Sequence, residues 1–364
     1  MKKLRVLVTG HRGMLGTDLM TALSSRFDPV GLDLPELNIT HRDNTIDAIT
    51  RFKPHLVIHT AAFTDVDGCE RFPDKAFAVN ALGTGYVAEA CLKMKIPLVY
   101  ISTDFVFDGK KGTPYLEFDP SNPIQTYGRS KLAGEFYVSH LLNRFYIVRT
   151  AWLYGIHGKN FPLSILDQAR QGKELKVVDD QIGSPTLTND LCASIIKIVK
   201  IGGYGLYHAV NQGTVSRYDF ARAILKFAGK ENRVKPISST KIKQMAKRPA
   251  FSALENFVME NSLGFIMPDW QDALKRYLKS LWGPSCHSDR VRSLNHPPRP
   301  GGSFGVVLNS KDSPKAGVVL NSKDSPKAGV VAAASERERD SIFDIFVRFA
   351  YYRNEAINFY KNAK

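Results

Sequence analysis

A doubly wound, parallel α/β sheet with a smaller appended lobe is the fold class this sequence predicts, on three observations. Through residue 150, short apolar runs rich in β-branched residues alternate with stretches of helical periodicity. The first apolar run ends in a glycine-spaced turn that opens a helix. Beyond residue 150 the alternation loosens into shorter strands and amphipathic helices. Strands that alternate with helices call for a parallel sheet covered on both faces, because each crossover lays a helix against it.

The elements follow in order. LRVLVT (4–9) reads as a buried strand ending at Gly10, followed by a helical pattern through Leu15, Leu19 and Leu23. DPVGLD (28–33), PHLVIHTAA (54–62) and IPLVYIST (96–103) are the next strands, and 73–94 the helix between the last two. FYIVRTAWLYG (145–155) is a strand running into a loop. VVDDQIGSPTLTNDL (177–191) is a loop leading into a helix, GLYHAV (205–210) a strand, and SRYDFARAILKFAG (216–229) a helix. MPDWQDALKRYLKSLWG (267–283) is a last amphipathic helix, stopped by Gly283 and Pro284.

The chain then changes character. Residues 284–305 are rich in Pro, Gly, Ser and Arg, and GVVLNSKDSPKA repeats in unbroken tandem at 305–316 and 317–328. Two polar copies cannot supply a core. The expected organisation is a nucleotide-binding domain at 1–150 and a substrate lobe at 151–283 with elements returning to the first domain. A low-complexity linker at 284–334 and a C-terminal helix at 335–364, open to an unknown partner, complete it.

A formal net charge of +15 favours anionic partners. No zinc-finger spacing, RNP-like aromatic motif or long basic block points to nucleic acid. The four cysteines, Cys69, Cys91, Cys192 and Cys286, lack metal-ligand spacing and predict free thiols. The opening MKKLRVLVTG has too short an apolar run for a signal peptide, and no run reaches the roughly 18 apolar residues of a membrane span. A cytoplasmic chain without membrane or metal is expected.

The turn GHRGMLG places Gly10, Gly13 and Gly16 between a strand and a helix. Glycines there permit a tight turn and let backbone amides approach a diphosphate, where the helix N-terminus adds positive potential. Asp33, at the end of the next strand, would accept hydrogen bonds from an adenosine ribose and favour NAD. Arg12, inside the turn, would hold a 2′-phosphate and favour NADP, so sequence leaves the cofactor open between NADPH and NADH. ISTDFVFDG (101–109) puts Ser102, Thr103 and Asp104 at a strand's carboxyl end, where open α/β sheets bind ligands. In TYGRSKLAGE (126–135), Tyr127 and Lys131 share one helix face. An ammonium beside a phenol is expected to lower its pKa from about 10. The same spacing recurs at Tyr360 and Lys364 without an upstream nucleotide turn, so context distinguishes the first pair.

Together, the GxxGxxG turn, STDFVFDG and YGRSK resemble the extended short-chain dehydrogenase/reductases, a Rossmann-type superfamily. HTAAFTDVDGCE (59–70), NPIQTYGRSKLAGE (122–135), VRTAWLYG (148–155), VVDDQIGSPT (177–186) and RPAFSALEN (248–256) narrow the likeness to its dTDP-4-dehydrorhamnose reductase family, over residues 1 to about 282. The resemblance implies reduction of the C4 ketone of a dTDP-sugar by NAD(P)H, with Thr103, Tyr127 and Lys131 catalytic. It implies cofactor contacts from Gly13, Met14 and Leu15 and from Asp33. It extends them to Asn38 and Ile39, with Asn in place of an acid, and to Ala62, Phe63 and Thr64. Asp104 and Trp152 match substrate contacts, and Arg217 stands where relatives usually carry an aromatic residue. Some family members bind Mg²⁺ at a dimer interface; nothing here has diagnostic spacing for it, and a homodimer is compatible with the resemblance. Two other readings stand beside this one: a different sugar-nucleotide reductase, epimerase or dehydratase, and a non-catalytic nucleotide-binding subunit resembling the regulatory subunit of methionine adenosyltransferase.

Overall fold

The computed structural model describes residues 3–172, 174–231 and 233–282. The expected linker and C-terminal helix lie outside the described residues.

Six parallel strands form the central sheet: β1 (Arg5–Thr9), β2 (Asp28–Leu32), β3 (Leu56–His59), β4 (Leu98–Thr103), β5 (Phe145–Thr150) and β10 (Gly205–His208). Their spatial order is β10-β5-β4-β3-β1-β2. The order reverses between β1 and β3, which opens a crevice at their carboxyl ends. Side chains alternate across the sheet as a period of two requires. Val6, Val8, Ile58, Val99, Ile101 and Val148 pack on one face against α1 (Met14–Ser24) and α8 (Thr188–Ile201). Leu7, Val57, Leu98, Tyr100 and Ile147 pack on the other against α2 (Arg42–Phe52), α5 (Thr84–Met94) and α6 (Thr126–Leu141). The doubly wound class is therefore what the chain adopts.

Two local departures from the sequence reading stand out. The helix expected at 73–94 is α4 (Pro73–Phe77) and α5 joined through a π-helical turn, Ala78–Gly83. The loop expected at 177–191 contains short strands β8 (Ile182–Gly183) and β9 (Thr186–Leu187), which pair with residues distant in sequence and so carry no local signature. Between them and β5 lie β6 (Leu153–Tyr154), α7 (Phe161–Arg170) and β7 (Leu175–Val178). After β10 follow β11 (Val215–Ser216), α9 (Arg217–Phe227), β12 (Val234–Ile237), α10 (Phe257–Leu263) and α11 (Trp270–Trp282). Tyr154, Leu166, Phe220, Ile224, Trp270, Leu274 and Tyr277 build a second core among α7, α9 and α11. Polar pairs join this region to the sheet. Arg248 meets Asp67 of α3 (Val66–Arg71) through two bonds of 3.1 Å.

A buried polar cluster holds α6 to the strands beneath it. Arg149 of β5 donates to Glu135 of α6 through Nε (2.9 Å) and Nη2 (2.7 Å), and Ser102 of β4 donates to the same carboxylate (2.5 Å). Arg149 and Glu135 are 4% and 5% exposed, so neither charge has water to fall back on. Glu135→Ala, which strands Arg149, is expected to cost about 3–5 kcal/mol in urea unfolding, and a Glu135→Met/Arg149→Met double variant to recover most of that loss.

Candidate active site

The glycine turn sits at the carboxyl end of β1. Gly10 has φ +72°, a conformation that favours glycine, and its N–H donates to the Leu32 carbonyl at 2.8 Å. A Cβ on Gly16 would collide with the Gly10 carbonyl, so α1 can leave the strand this tightly only with glycine there. Gly13 is the N-cap of α1 and offers no side-chain acceptor to the first-turn amides, which fits a diphosphate at that helix end. Met14 opens the helix, and the Leu15 side chain is buried in the sheet core.

Asp33 accepts the backbone N–H groups of Arg12 (3.0 Å) and Leu34 (2.8 Å). The Arg12 guanidinium pairs with Glu36 at 2.6 Å, a half-exposed contact that opens at little cost. The two residues with opposite cofactor preference are thus adjacent. Asn38 turns its side chain back onto Thr40, and Ile39 is buried against Gly83. Ala62, Phe63 and Thr64 follow β3. The Phe63 backbone is held at both ends by Asn80, which accepts from its N–H (2.8 Å) and donates to its carbonyl (3.0 Å). Asn80 also donates to Ser130 of α6 (3.0 Å), which ties this wall to the helix carrying Tyr127.

Tyr127 and Lys131 lie in the first turns of α6. The helix start is fixed from two sides. Gln125 caps it by accepting from the Gly128 N–H (2.5 Å), and Glu70 of α3 accepts from the Thr126 N–H (2.7 Å) and hydroxyl (2.9 Å). A Cβ on Gly128 would overlap the Phe105 carbonyl, so the YG pair admits the helix to the end of β4. There the Tyr127 ring meets the Phe105 ring edge-on, and the phenol lies near enough to Thr103 and Asp104 to be influenced by both. The Lys131 Nζ lies over the Tyr100 ring, 4.1 Å from its centre.

The expected electrostatics need correction. Burial dominates: it pushes the Tyr127 phenol above its ordinary value, with the nearby Asp104 carboxylate adding to the rise and Thr103 opposing it. Burial also lowers the Lys131 ammonium to about 7, against the pull of Glu135. Lys131 therefore does not depress the phenol here, because desolvation outweighs the attraction that helix spacing alone suggested.

Asp104, the residue after Thr103, is 3% exposed, and burial raises its carboxyl to about 6. Both oxygens are engaged: Thr103 donates to one (3.0 Å) and Ser252 to the other (2.6 Å). Trp152, just past β5, has φ +44°, a strained left-handed backbone for a tryptophan. Its indole packs against Gly183, and the Arg217 guanidinium lies over it at 3.5 Å. On that side the ring presents a cation rather than a bare apolar face. Ser252 and Arg248 carried no assigned role in the sequence because RPAFSALEN reads locally as loop. Their partners Asp104 and Asp67 are 148 and 181 residues away.

The RmlD substrate binding domain family matches residues 4–282. The dTDP-4-dehydrorhamnose reductase of Aggregatibacter actinomycetemcomitans is 38% identical, over 74% of this chain and 97% of its own length. The dTDP-4-keto-6-deoxy-D-glucose reductase of Streptomyces niveus is 39% identical, over 69% of this chain and 88% of its own. The crystal structure of the dTDP-4-dehydrorhamnose reductase from Bacillus anthracis in complex with NADP superposes with a TM-score of 0.75 at 38% identity, covering 77% of this chain and 100% of that one. This chain belongs to the RmlD substrate binding domain family, the family of the dTDP-4-dehydrorhamnose reductases.

Proposed function

We propose that this chain reduces the C4 ketone of dTDP-4-dehydro-L-rhamnose to give dTDP-L-rhamnose, using NADPH. One observation carries the reading: Thr103, Tyr127 and Lys131 stand at the carboxyl end of β4, beside the crevice that opens at β1 and β3. Gly10, Gly13 and Gly16 with the amides of Met14 and Leu15 would hold the cofactor diphosphate, and Asp33 and Arg12 its adenosine end. Asn38 and Ile39 would border the adenine, and Ala62, Phe63 and Thr64 the wall leading to the nicotinamide. When bound, the nicotinamide supplies the hydride. The NADP complex of the Bacillus anthracis relative supports the phosphorylated cofactor.

The protein's own groups manage the proton. A phenol raised by burial is fully protonated at neutral pH, which suits Tyr127 as the donor to the oxygen that becomes an alkoxide. Thr103 hydrogen-bonds the same oxygen and stabilises charge where it develops. Its one hydroxyl proton goes to Asp104 at 3.0 Å, and turning that proton from Asp104 to the substrate oxygen would supply the bond. Lys131, while charged, favours both the cofactor ribose and the phenolate left after proton transfer. Asp104 and Trp152 would border the sugar.

A second reading, reduction of a different dTDP-4-keto sugar, is favoured by the Streptomyces niveus relative and by Arg217 over Trp152. Product analysis with both keto sugars separates the two: rhamnosyl product from the first alone supports the main reading, and turnover of the second alone overturns it.

Tyr127→Phe is expected to lower kcat by about 10²-fold or more while NADPH affinity, read by fluorescence titration, changes little; a fully active variant would refute the assignment. Lys131 is charged on the acid side of about 7 and neutral on the alkaline side. NADPH binding should therefore weaken as pH rises through about 7, and Lys131→Met should bind weakly at every pH with no such midpoint. Ending the chain after Trp282 keeps every residue that the family matches and should leave keto-sugar reduction unchanged.

A further inference from the structure

Arg217 opens α9 and places its guanidinium 3.5 Å over the Trp152 ring and 4.9 Å from the centre of the Phe161 ring. It is half-buried, and burial lowers it to about 9. Among the described residues it holds no ion pair. The nearest charges do not satisfy it. Asp104 attracts it from a distance, without an ion-pair contact between the two among the described residues. Arg248 repels it, and Arg248 is itself neutralised by Asp67. A desolvated cation is costly unless a charge partner arrives. Stacking on aromatic faces holds a guanidinium by its plane and leaves its N–H edge free, the arrangement that receives phosphate oxygens in a fork.

The place of Arg217 says which phosphate. Asp104 follows β4 and Trp152 follows β5, whereas the glycine turn follows β1, two strands from β4 in the sheet order. At about 4.8 Å per strand, that is roughly 10 Å away, so the cofactor diphosphate and Arg217 are served by different ends of the crevice. Thr103, beside Asp104, marks the reacting carbonyl. With the reacting carbonyl at Thr103, the substrate's own diphosphate would be the anion nearer to Arg217, which stands on Trp152 and feels Asp104.

We propose that Arg217 is a specificity-determining residue that receives the diphosphate of the nucleotide-sugar substrate, held for that task by Trp152 and Phe161. This rests on the reading of the site as a nucleotide-sugar reductase. Arg217 takes up substrate by charge and geometry without touching the reacting atoms, so its loss weakens binding while chemistry continues.

The test uses the full chain with dTDP and NADPH as separate calorimetric probes. Arg217→Gln should weaken dTDP at least about ten-fold and raise KM for the keto sugar by a similar factor, with kcat within about three-fold and NADPH affinity within about two-fold. Arg217→Lys, which keeps the charge but not the fork, should recover part of the dTDP affinity. The assignment is overturned if Arg217→Gln binds dTDP within two-fold of the parent, or if dTDP and NADPH affinities fall together, which marks general damage to the fold. A parent enzyme that reduces the keto sugar while Arg217→Gln binds dTDP normally sinks this assignment alone. A parent that binds dTDP through Arg217 yet reduces no keto sugar sinks the functional reading alone.

Discussion

The buried pair of Glu135 and Arg149 is the constraint on which the proposed site depends. Helix α6 carries Tyr127 and Lys131, yet the face it buries is mostly small or polar: Thr126, Gly128, Ser130, Lys131, Gly134 and Glu135, with Val138 the apolar member. Such a face gains little from the hydrophobic effect. Its position is set instead by directed bonds: Glu135 to β4 and β5, Ser130 to Asn80, and the Lys131 carbonyl accepting from Tyr100 at 3.1 Å. Hydrogen bonds between charged and buried groups are stronger and more directional than apolar contact, so they fix orientation as well as proximity. Two turns N-terminal to Glu135, the phenol therefore has one place to be.

That close seating has an electrostatic consequence. A helix drawn against the end of β4 by Gly128 takes its functional groups out of water. Burial then raises the Tyr127 phenol and lowers the Lys131 ammonium toward neutrality. Both shifts weaken the charged forms. They leave a protonated phenol ready to donate and an amine whose charge responds to what binds beside it.

The chain beyond β5 meets the sheet through apolar contacts, with Leu191, Ile195 and Met259 in the sheet core, and through polar ones. Asp67 meets Arg248, Asp18 meets His157 (3.4 Å) and Thr188, and Asp104 accepts from Ser252. A second core, around Tyr154, Phe220 and Trp270, holds α7, α9 and α11 together. Trp152, Arg217, Arg248 and Ser252 all come from the chain beyond β5.

The sequence by itself determined the strands, the glycine turn and the strand-end ISTD, because these rest on local rules: apolar runs of β-branched residues, positive φ at Gly10, and hydroxyls at a strand's carboxyl end. It also determined that Tyr127 and Lys131 share a helix face, since four residues make about one turn. What only the tertiary structure decided is everything that depends on a partner far along the chain. The pairing of Glu135 with Arg149 and of Asp104 with Ser252, the strands β8 and β9, and the seat of Arg217 over Trp152 leave no local periodicity to read. The ionisation of Tyr127 and Lys131 belongs with them, because desolvation is a property of the whole packed surroundings and outweighs the neighbour that helix spacing revealed.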